Sequence, residues 1–230
     1  MDEAAAKVLL DNIIGQIFGY KNPLTLEQFR QKFAFDVRLP QQVNDSTTGQ
    51  ATWTQSVNPS KFITTENAWN RLDWDQKPQR QFDSIQDILA AWNEVNYTAT
   101  ERHLDSLNIG ESDNIYSSEK VYRSQDISGS KNILFSDGVN DSEFVAACQR
   151  SKGLSYSARV EDSNSTSNSF SVIWSKKIVN CYFIEDCGDM YECMFCSHIA
   201  NKKFCIANIQ FEEAEYRRLK DMVLRWILTS

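Results

Sequence analysis

The sequence predicts an α+β protein built from an α-rich N-terminal region (1–105), a single-chain β-solenoid (106–205) and a C-terminal capping helix (206–230). Two observations lead to this fold. Small and aliphatic residues alternate at every third position from Ser106 to Ile199, and all four prolines and the helix-capping motifs except the last lie before that repeat. Because a repeat decides the architecture of a chain, it is interpreted first.

The N-terminal region is predicted to begin with a helix after Asp2, since apolar residues recur there at helical spacing, and to end that helix at Gly19. The stripe comprises Val8, Leu9, Ile13, Ile14 and Ile17. Thr25 and Gln28 have capping-box spacing and predict a second helix.

Ser84 and Asp87 have the same spacing and predict a further helix, with Ile85, Ile88, Leu89 and Trp92 on one side. Five aromatic residues lie in the polar sequence around these helices, and we interpret them as anchors of long loops. They are Trp53, Phe62, Trp69, Trp74 and Phe82.

The repeat contains only serine, threonine, cysteine or aliphatic residues at its 32 positions from 106 to 199. We call this set the three-residue ladder. A straight strand would direct residues three apart to opposite faces, and an α-helix would distribute them around its axis. A bend between successive ladder residues directs all of them inward, which predicts a β-solenoid of the hexapeptide type.

The ladder does not fix the size of one coil, because coils of 12 or of 18 residues both satisfy it. Representative ladder positions are Ser112, Ile115, Ser118, Val121, Ser124, Ile127, Ser130, Ile133, Cys181, Ile184 and Cys187. The alternation of small and aliphatic residues slips at Cys148–Ser151 and at Cys193–Cys196, where we expect a bulge, an altered corner or a loop.

The C-terminal segment begins with the acidic run 212–215, which favours a helix start, and continues with an apolar stripe. The stripe comprises Tyr216, Leu219, Val223 and Trp226. We expect this helix to cover the last coil, and the N-terminal region to cover the first, because the ends of a solenoid expose strand edges.

The composition excludes several classes of protein. With 41% hydrophobic and 12% aromatic residues the chain can form a core, and its net charge of −7 argues against a nucleic-acid partner. Apolar runs are short and the start is acidic, so neither a membrane span nor a secretory signal is predicted. We therefore expect a cytoplasmic location and no secretion by a signal peptide, unless the chain belongs to a virion, which the resemblance described below implies.

All six cysteines lie between positions 148 and 205; five occupy ladder positions, and Cys205 lies two steps of three beyond Ile199, where it extends the ladder. We interpret them mainly as small substitutes for buried serine. The alternative is a zinc site formed by Cys187, Cys193, Cys196 and Cys205, since thiolates at such spacing suit tetrahedral zinc. No other cofactor is predicted.

Catalysis is not predicted, because His103 and His198 are the only histidines and His103 is expected on a solvated helix face. Carboxylates along the repeat are interpreted as a solvated coat in preference to calcium ligands. A transferase or a glycan-active enzyme on the solenoid is the weakest alternative. Phe170, Trp174 and Tyr182 are candidate interface residues, although such aromatics could also pack beneath the N-terminal region.

The segment from Cys196 to Tyr216 resembles a group of uncharacterised, zinc-ribbon-like, cysteine-rich proteins of bacteria and phages. The shared pattern is Cys-x4-Asn-Lys-x-aromatic-Cys-Ile-x-Asn, read here from Cys196 through Cys205 to Asn208, followed by an acidic helix. Cysteine pairs nearer the N-terminus, usual in that group, are absent from this chain. A rigid solenoid predicts a non-enzymatic structural protein that binds other subunits. The occurrence of the resembling group in phages implies a virion component, such as a head decoration or tail accessory protein.

Overall fold

The computed structural model describes residues 1–58, 61–71 and 75–229. It confirms the predicted fold class: an N-terminal helical region, a β-solenoid of about nine coils over residues 103–206, and a C-terminal helix. None of the described helices combines the length and apolar character needed to cross a bilayer.

Within its described residues, the N-terminal region contains four helices and two small sheets. The helices are α1 (Glu3–Phe18), α2 (Leu26–Phe33), α3 (Thr65–Arg71) and α4 (Ile85–Val95). Strands β1 (Gln41–Asn44) and β2 (Ala51–Thr54) pair antiparallel, while β3 (Lys61–Thr64) and β4 (Tyr97–Thr100) pair parallel.

The predicted caps are present in the structure. Asp2 accepts a hydrogen bond from the Ala5 N–H at 2.8 Å, and α1 ends at Gly19, whose φ of 72° is left-handed. Capping boxes begin α2 at Thr25 and α4 at Ser84.

The solenoid consists of short parallel strands joined by single-residue corners. Its strands are β5 (His103–Leu104), β6 (Leu107–Gly110), β7 (Asp113–Tyr116), β8 (Glu119–Tyr122), β9 (Gln125–Ser128), β10 (Lys131–Leu134), β11 (Asp137–Asn140), β12 (Glu143–Ala146), β13 (Gln149–Glu161), β14 (Asn164–Ile173), β15 (Lys176–Val179), β16 (Tyr182–Glu185), β17 (Gly188–Ser197) and β18 (Ala200–Ile206). Each residue pairs with the residue 12 positions further on, as Ile115 does with Ile127. One coil therefore has 12 residues, and at about 4.8 Å per coil the solenoid is about 40 Å long.

A corner occurs at every third residue. From Asp105 to Ala207, every third residue has a positive φ, including Gly129, Gly138 and Gly153. None of these corner residues is β-branched, in agreement with the steric cost of the left-handed region. The corner directs the next residue inward, which explains why the ladder has a period of three.

The inward residues form four columns, which we name after their members Ser112, Ile115, Ser118 and Val121. In these columns a serine hydroxyl bridges two coils. Ser124 Oγ donates to the Tyr122 carbonyl at 3.0 Å and accepts from the Ser136 N–H at 3.0 Å. The small residues therefore satisfy backbone groups inside the solenoid, where an unpaired donor would be costly.

The predicted irregularity at Cys148–Ser151 is wrong. The register continues without interruption, since Val139 pairs with Ser151 and Val145 pairs with Ser157. The alternation slips because the type of residue changes within a column. The Ser112 column contains small residues as far as Cys148 and continues with the larger Val160. Small and large residues still fill each layer, so the backbone needs no bulge.

One outward face, between the Val121 and Ser112 columns, is apolar. We call it the helix-covered face. Its buried residues recur every 12 positions, in step with the coils, and belong to one core with α1, α2 and the C-terminal helix. They are Tyr122, Leu134, Ala146, Ala158, Phe170, Tyr182 and Met194. Phe18 of α1 contacts Phe170 edge-to-face at 5.3 Å.

The ends of the solenoid are covered by the two regions predicted to cover them, the N-terminal region and the C-terminal segment. At the first coil, the buried Asp113 carboxylate binds Arg102 at 2.9 Å and the Gln55 N–H at 2.9 Å, so the segment after β2 closes this end. At the last coil, β19 (Ile209–Gln210) pairs antiparallel with β18.

The C-terminal helix α5 (Glu213–Thr229) starts beside the last coil and runs back along the solenoid. Its Tyr216 contacts Phe204 at 5.5 Å, its Trp226 contacts Phe183 at 6.0 Å, and the Ile227 carbonyl accepts from Lys32 at 3.0 Å.

Candidate functional site

The predicted ladder residues all lie inside the solenoid. Ser112, Ile115, Ser118, Val121, Ser124, Ile127, Ser130, Ile133, Cys181, Ile184 and Cys187 are all buried. They form the core and its hydrogen bonds and are not available to a partner. The interior has a structural role, so a functional site must lie on the outside.

The six cysteines are buried free thiols that take the place of serine. Cys181 Sγ accepts from the Cys193 N–H at 3.3 Å, the same contact that Ser124 makes. The thiols also donate to carbonyls two residues back, as Cys196 does to Met194 at 3.3 Å.

The predicted zinc ligands are divided among three columns. Cys193 and Cys205 lie in the Val121 column, Cys196 in the Ser112 column and Cys187 in the Ile115 column. Within the described part of the chain, no group of three or more His, Cys, Asp or Glu side chains could hold a metal ion. This arrangement does not fit a tetrahedral zinc site, for which four donors must converge.

The thiols have raised pKa values, which oppose the thiolate form that binds metals. Burial raises the pKa of Cys148 to about 12 and also raises those of Cys187 and Cys205. The neighbouring Cys181 thiol, together with burial, raises the pKa of Cys193 to about 12. The Cys193 thiol and burial raise the pKa of Cys196.

The predicted interface is wrong at two of its three residues. Phe170 and Tyr182 lie on the helix-covered face and are 1% and 2% exposed. The Tyr182 hydroxyl donates to the Ile17 carbonyl of α1 at 2.8 Å, so these rings bind helices of the same chain. Trp174 lies on a different face and is 60% exposed.

The two histidines lie near opposite ends of the solenoid. His103 lies in β5 and not on a helix; its Nε2 is 2.9 Å from the Ser112 carbonyl oxygen. His198 lies at the other end of the solenoid, where its Nδ1 is 2.9 Å from Asp186. Both side chains of this second pair are well exposed, which gives water free access to them.

The apolar side of α4 is the clearest candidate for an interaction surface. Five residues, Ile85, Ile88, Leu89, Trp92 and Val95, are each 45–60% exposed, and no residue of α4 is buried. A contiguous apolar surface of this kind marks a protein-interaction site in soluble proteins. The capping box and stripe predicted the helix, but no sequence signal shows that its stripe stays uncovered.

Two of the predicted aromatic anchors are also largely exposed. Trp69 is 78% exposed and Phe82 is 44% exposed, whereas Trp53 and Phe62 are partly buried. Trp74 lies outside the described residues. The N-terminal region therefore presents more apolar surface than the anchor interpretation predicts.

No protein-family model matches this chain, and no curated protein shows significant similarity to it.

Proposed function

We propose that this chain is a non-enzymatic structural protein that binds another protein subunit of a larger assembly through the apolar side of α4. The observation that carries the proposal is that the five large apolar residues of α4 are each 45–60% exposed and have no covering partner among the residues that the structure describes. Burying them against another subunit would remove their apolar area from water, which is the main favourable term in protein association.

The solenoid supports this role as a rigid scaffold. Its four inward columns are filled, and α1, α2 and α5 lie on one of its faces. Such an element holds a binding helix in a defined place without supplying chemistry of its own.

The specific form of the proposal is a virion component, such as a head decoration or tail accessory protein. Its support is the resemblance of the segment from Cys196 to Tyr216 to proteins of bacteria and phages. The fold is compatible with this role but does not select it.

The experiment is site-specific photo-crosslinking of the full chain in the cells that produce it. A benzoylphenylalanine replaces Trp92 on the apolar side or Ala90 on the opposite side of α4; both positions are exposed. The expected result is a defined cross-linked product with a structural protein of a large particle from position 92 only. Equal products from both positions, or none, would reject α4 as the binding surface.

A further inference from the structure

The solenoid carries its excess negative charge on one face. This acidic face lies between the Ser112 and Ile115 columns; apart from the buried Asp113, which binds Arg102, it has six carboxylates and one arginine, Arg150, which pairs with Glu161 and Asp162. The six carboxylates belong to Asp126, Asp137, Glu161, Asp162, Glu185 and Asp186. On each of the other two open faces, acidic and basic residues balance.

Trp174 lies between carboxylates on this face. Trp174 follows Asp162 and precedes Asp186 by one coil, so the three residues are spaced by about 4.8 Å along the solenoid axis. All three are exposed. Hydrogen bonds from Arg150 and, to a smaller extent, from the Trp174 indole lower the pKa of Asp162. Asp162 is therefore ionised at neutral pH.

A groove of about 330 Å³ borders the acidic face. Residues Ser171, Ile173, Phe183, Glu185, Phe195 and Ser197 are among those that line it. Phe183 and Phe195 stack with their ring centres 4.7 Å apart and form an apolar wall, and Phe195 is 40% exposed. Glu185 adds an exposed carboxylate to the same groove.

Two basic residues near this groove bind elsewhere, whereas His198, which follows the groove residue Ser197, contacts Asp186 on the acidic face. Arg159 and Lys32 line a separate cavity that also includes Phe183. Arg159 binds Asp36 at 2.9 Å, and Lys32 donates to the Ile227 carbonyl at 3.0 Å. The groove itself therefore combines an apolar wall with negative charge.

We propose that the groove and the acidic face together bind a basic segment of a partner protein. An apolar side chain of that segment occupies the groove beside Phe195. A lysine or arginine lies over the exposed Trp174 indole, between the carboxylates of Asp162 and Asp186. Charge complementarity selects this occupant, because an aromatic face flanked by carboxylates attracts a cation. This inference rests on the proposed binding role but uses a surface distinct from α4.

The test measures the affinity of the full chain for a fluorescent peptide of alternating leucine and lysine, by fluorescence anisotropy. A peptide with glutamate in place of lysine is the counter-probe. The matched variants are Asp186→Lys and Asp189→Lys, because both aspartates occupy exposed corners three residues apart and each lies beside a basic residue, His198 and Lys177 respectively. Asp189 lies on a charge-balanced face.

Binding of the lysine peptide is expected, with a Kd that Asp186→Lys raises by roughly tenfold and Asp189→Lys leaves within about twofold. Phe195→Ser is expected to weaken binding, whereas Tyr191→Ser, at an exposed residue of the same coil, is not. Circular dichroism establishes whether each variant is folded. If Phe195→Ser does not fold, the comparison of Asp186→Lys with Asp189→Lys alone tests the proposal.

Three results would overturn the proposal: no binding of the lysine peptide, equal binding of the glutamate peptide, or equal weakening by the two aspartate variants. Trp92→Ser in α4 separates the two proposals. If it abolishes peptide binding, the peptide occupies α4 and the groove is not its site. If it leaves binding unchanged, the groove proposal stands independently of the result for α4.

Discussion

Helices α1 and α4 are both amphipathic helices of the N-terminal region, but only α1 buries its apolar side. Seven residues of α1 are buried, and the helix contacts β10, β12, β13 and β14. No residue of α4 is buried. The sequence pattern that makes both helices is the same, so amphipathicity predicts a helix and the need for a partner but not where that partner lies.

The comparison is tested most strongly by removing one aromatic ring from each helix. Phe18→Ala in α1 should lower the free energy of unfolding by about 3–5 kcal/mol, because it leaves a cavity against Phe170 and Tyr182. Trp92→Ala in α4 should change it by less than about 0.5 kcal/mol. Urea unfolding followed by circular dichroism measures both. Equal losses would mean that α4 is covered in solution.

The same contrast between covered and uncovered positions applies to serines of one coil. Ser124→Ala leaves the Ser136 N–H without its acceptor and should cost about 1–3 kcal/mol. Ser128→Ala, at an exposed position directly before the corner at Gly129, should cost nearly nothing. The midpoints of urea unfolding give the difference in stability. If Ser124→Ala left the free energy of unfolding unchanged, water would have to reach the ladder.

Alkaline pH extends the comparison to a buried thiol. The pKa of Cys148 is about 12 in the folded chain and 9.0 when unperturbed, because burial disfavours the thiolate. The resulting stability is fully present below pH 9 and is lost as the pH rises towards 12. Relative to Cys148→Ser, the chain should lose about 1.4 kcal/mol per pH unit in this window. Urea unfolding of both proteins at each pH measures this loss. If the stability of the chain and that of Cys148→Ser fell in parallel as the pH rises, Cys148 would be in contact with water.

Removal of metal should have the smallest effect. Because the thiols are protonated and divided among columns, a chelator should leave the Tm unchanged, and native mass spectrometry should show no stoichiometric zinc. One tightly bound zinc per chain, lost together with stability on chelation, would contradict the role of the cysteines as serine substitutes.

The three-residue ladder was enough to predict a solenoid, because no straight element places every third residue on one side. The ladder alone left 12 and 18 residues per coil open. A further signal was present in the outward residues: Tyr122, Phe170 and Tyr182 belong to an apolar series with a step of 12. This series reports both the coil length and the face that the helices cover.

The candidate surfaces could not be predicted from the sequence. Phe170 and Trp174 are aromatic residues four positions apart, but a corner between them separates a buried face from an open one. Likewise, the carboxylates from Asp113 to Asp186 form one face only once the coil length is known. Chain-wide packing, which local patterns do not encode, decides which apolar or charged residues remain accessible.

The uniform coil has a consequence for how this protein can change in length. Because every column repeats with a spacing of 12 residues, duplication or deletion of one whole coil shifts the molecule's length by about 4.8 Å and preserves all the other contacts of the columns. Insertion of three, six or nine residues would keep the ladder inward but move the following residues to other columns, and an insertion that is not a multiple of three would turn inward residues outward. The length of the solenoid can therefore change during evolution in steps of one whole coil while every column is kept.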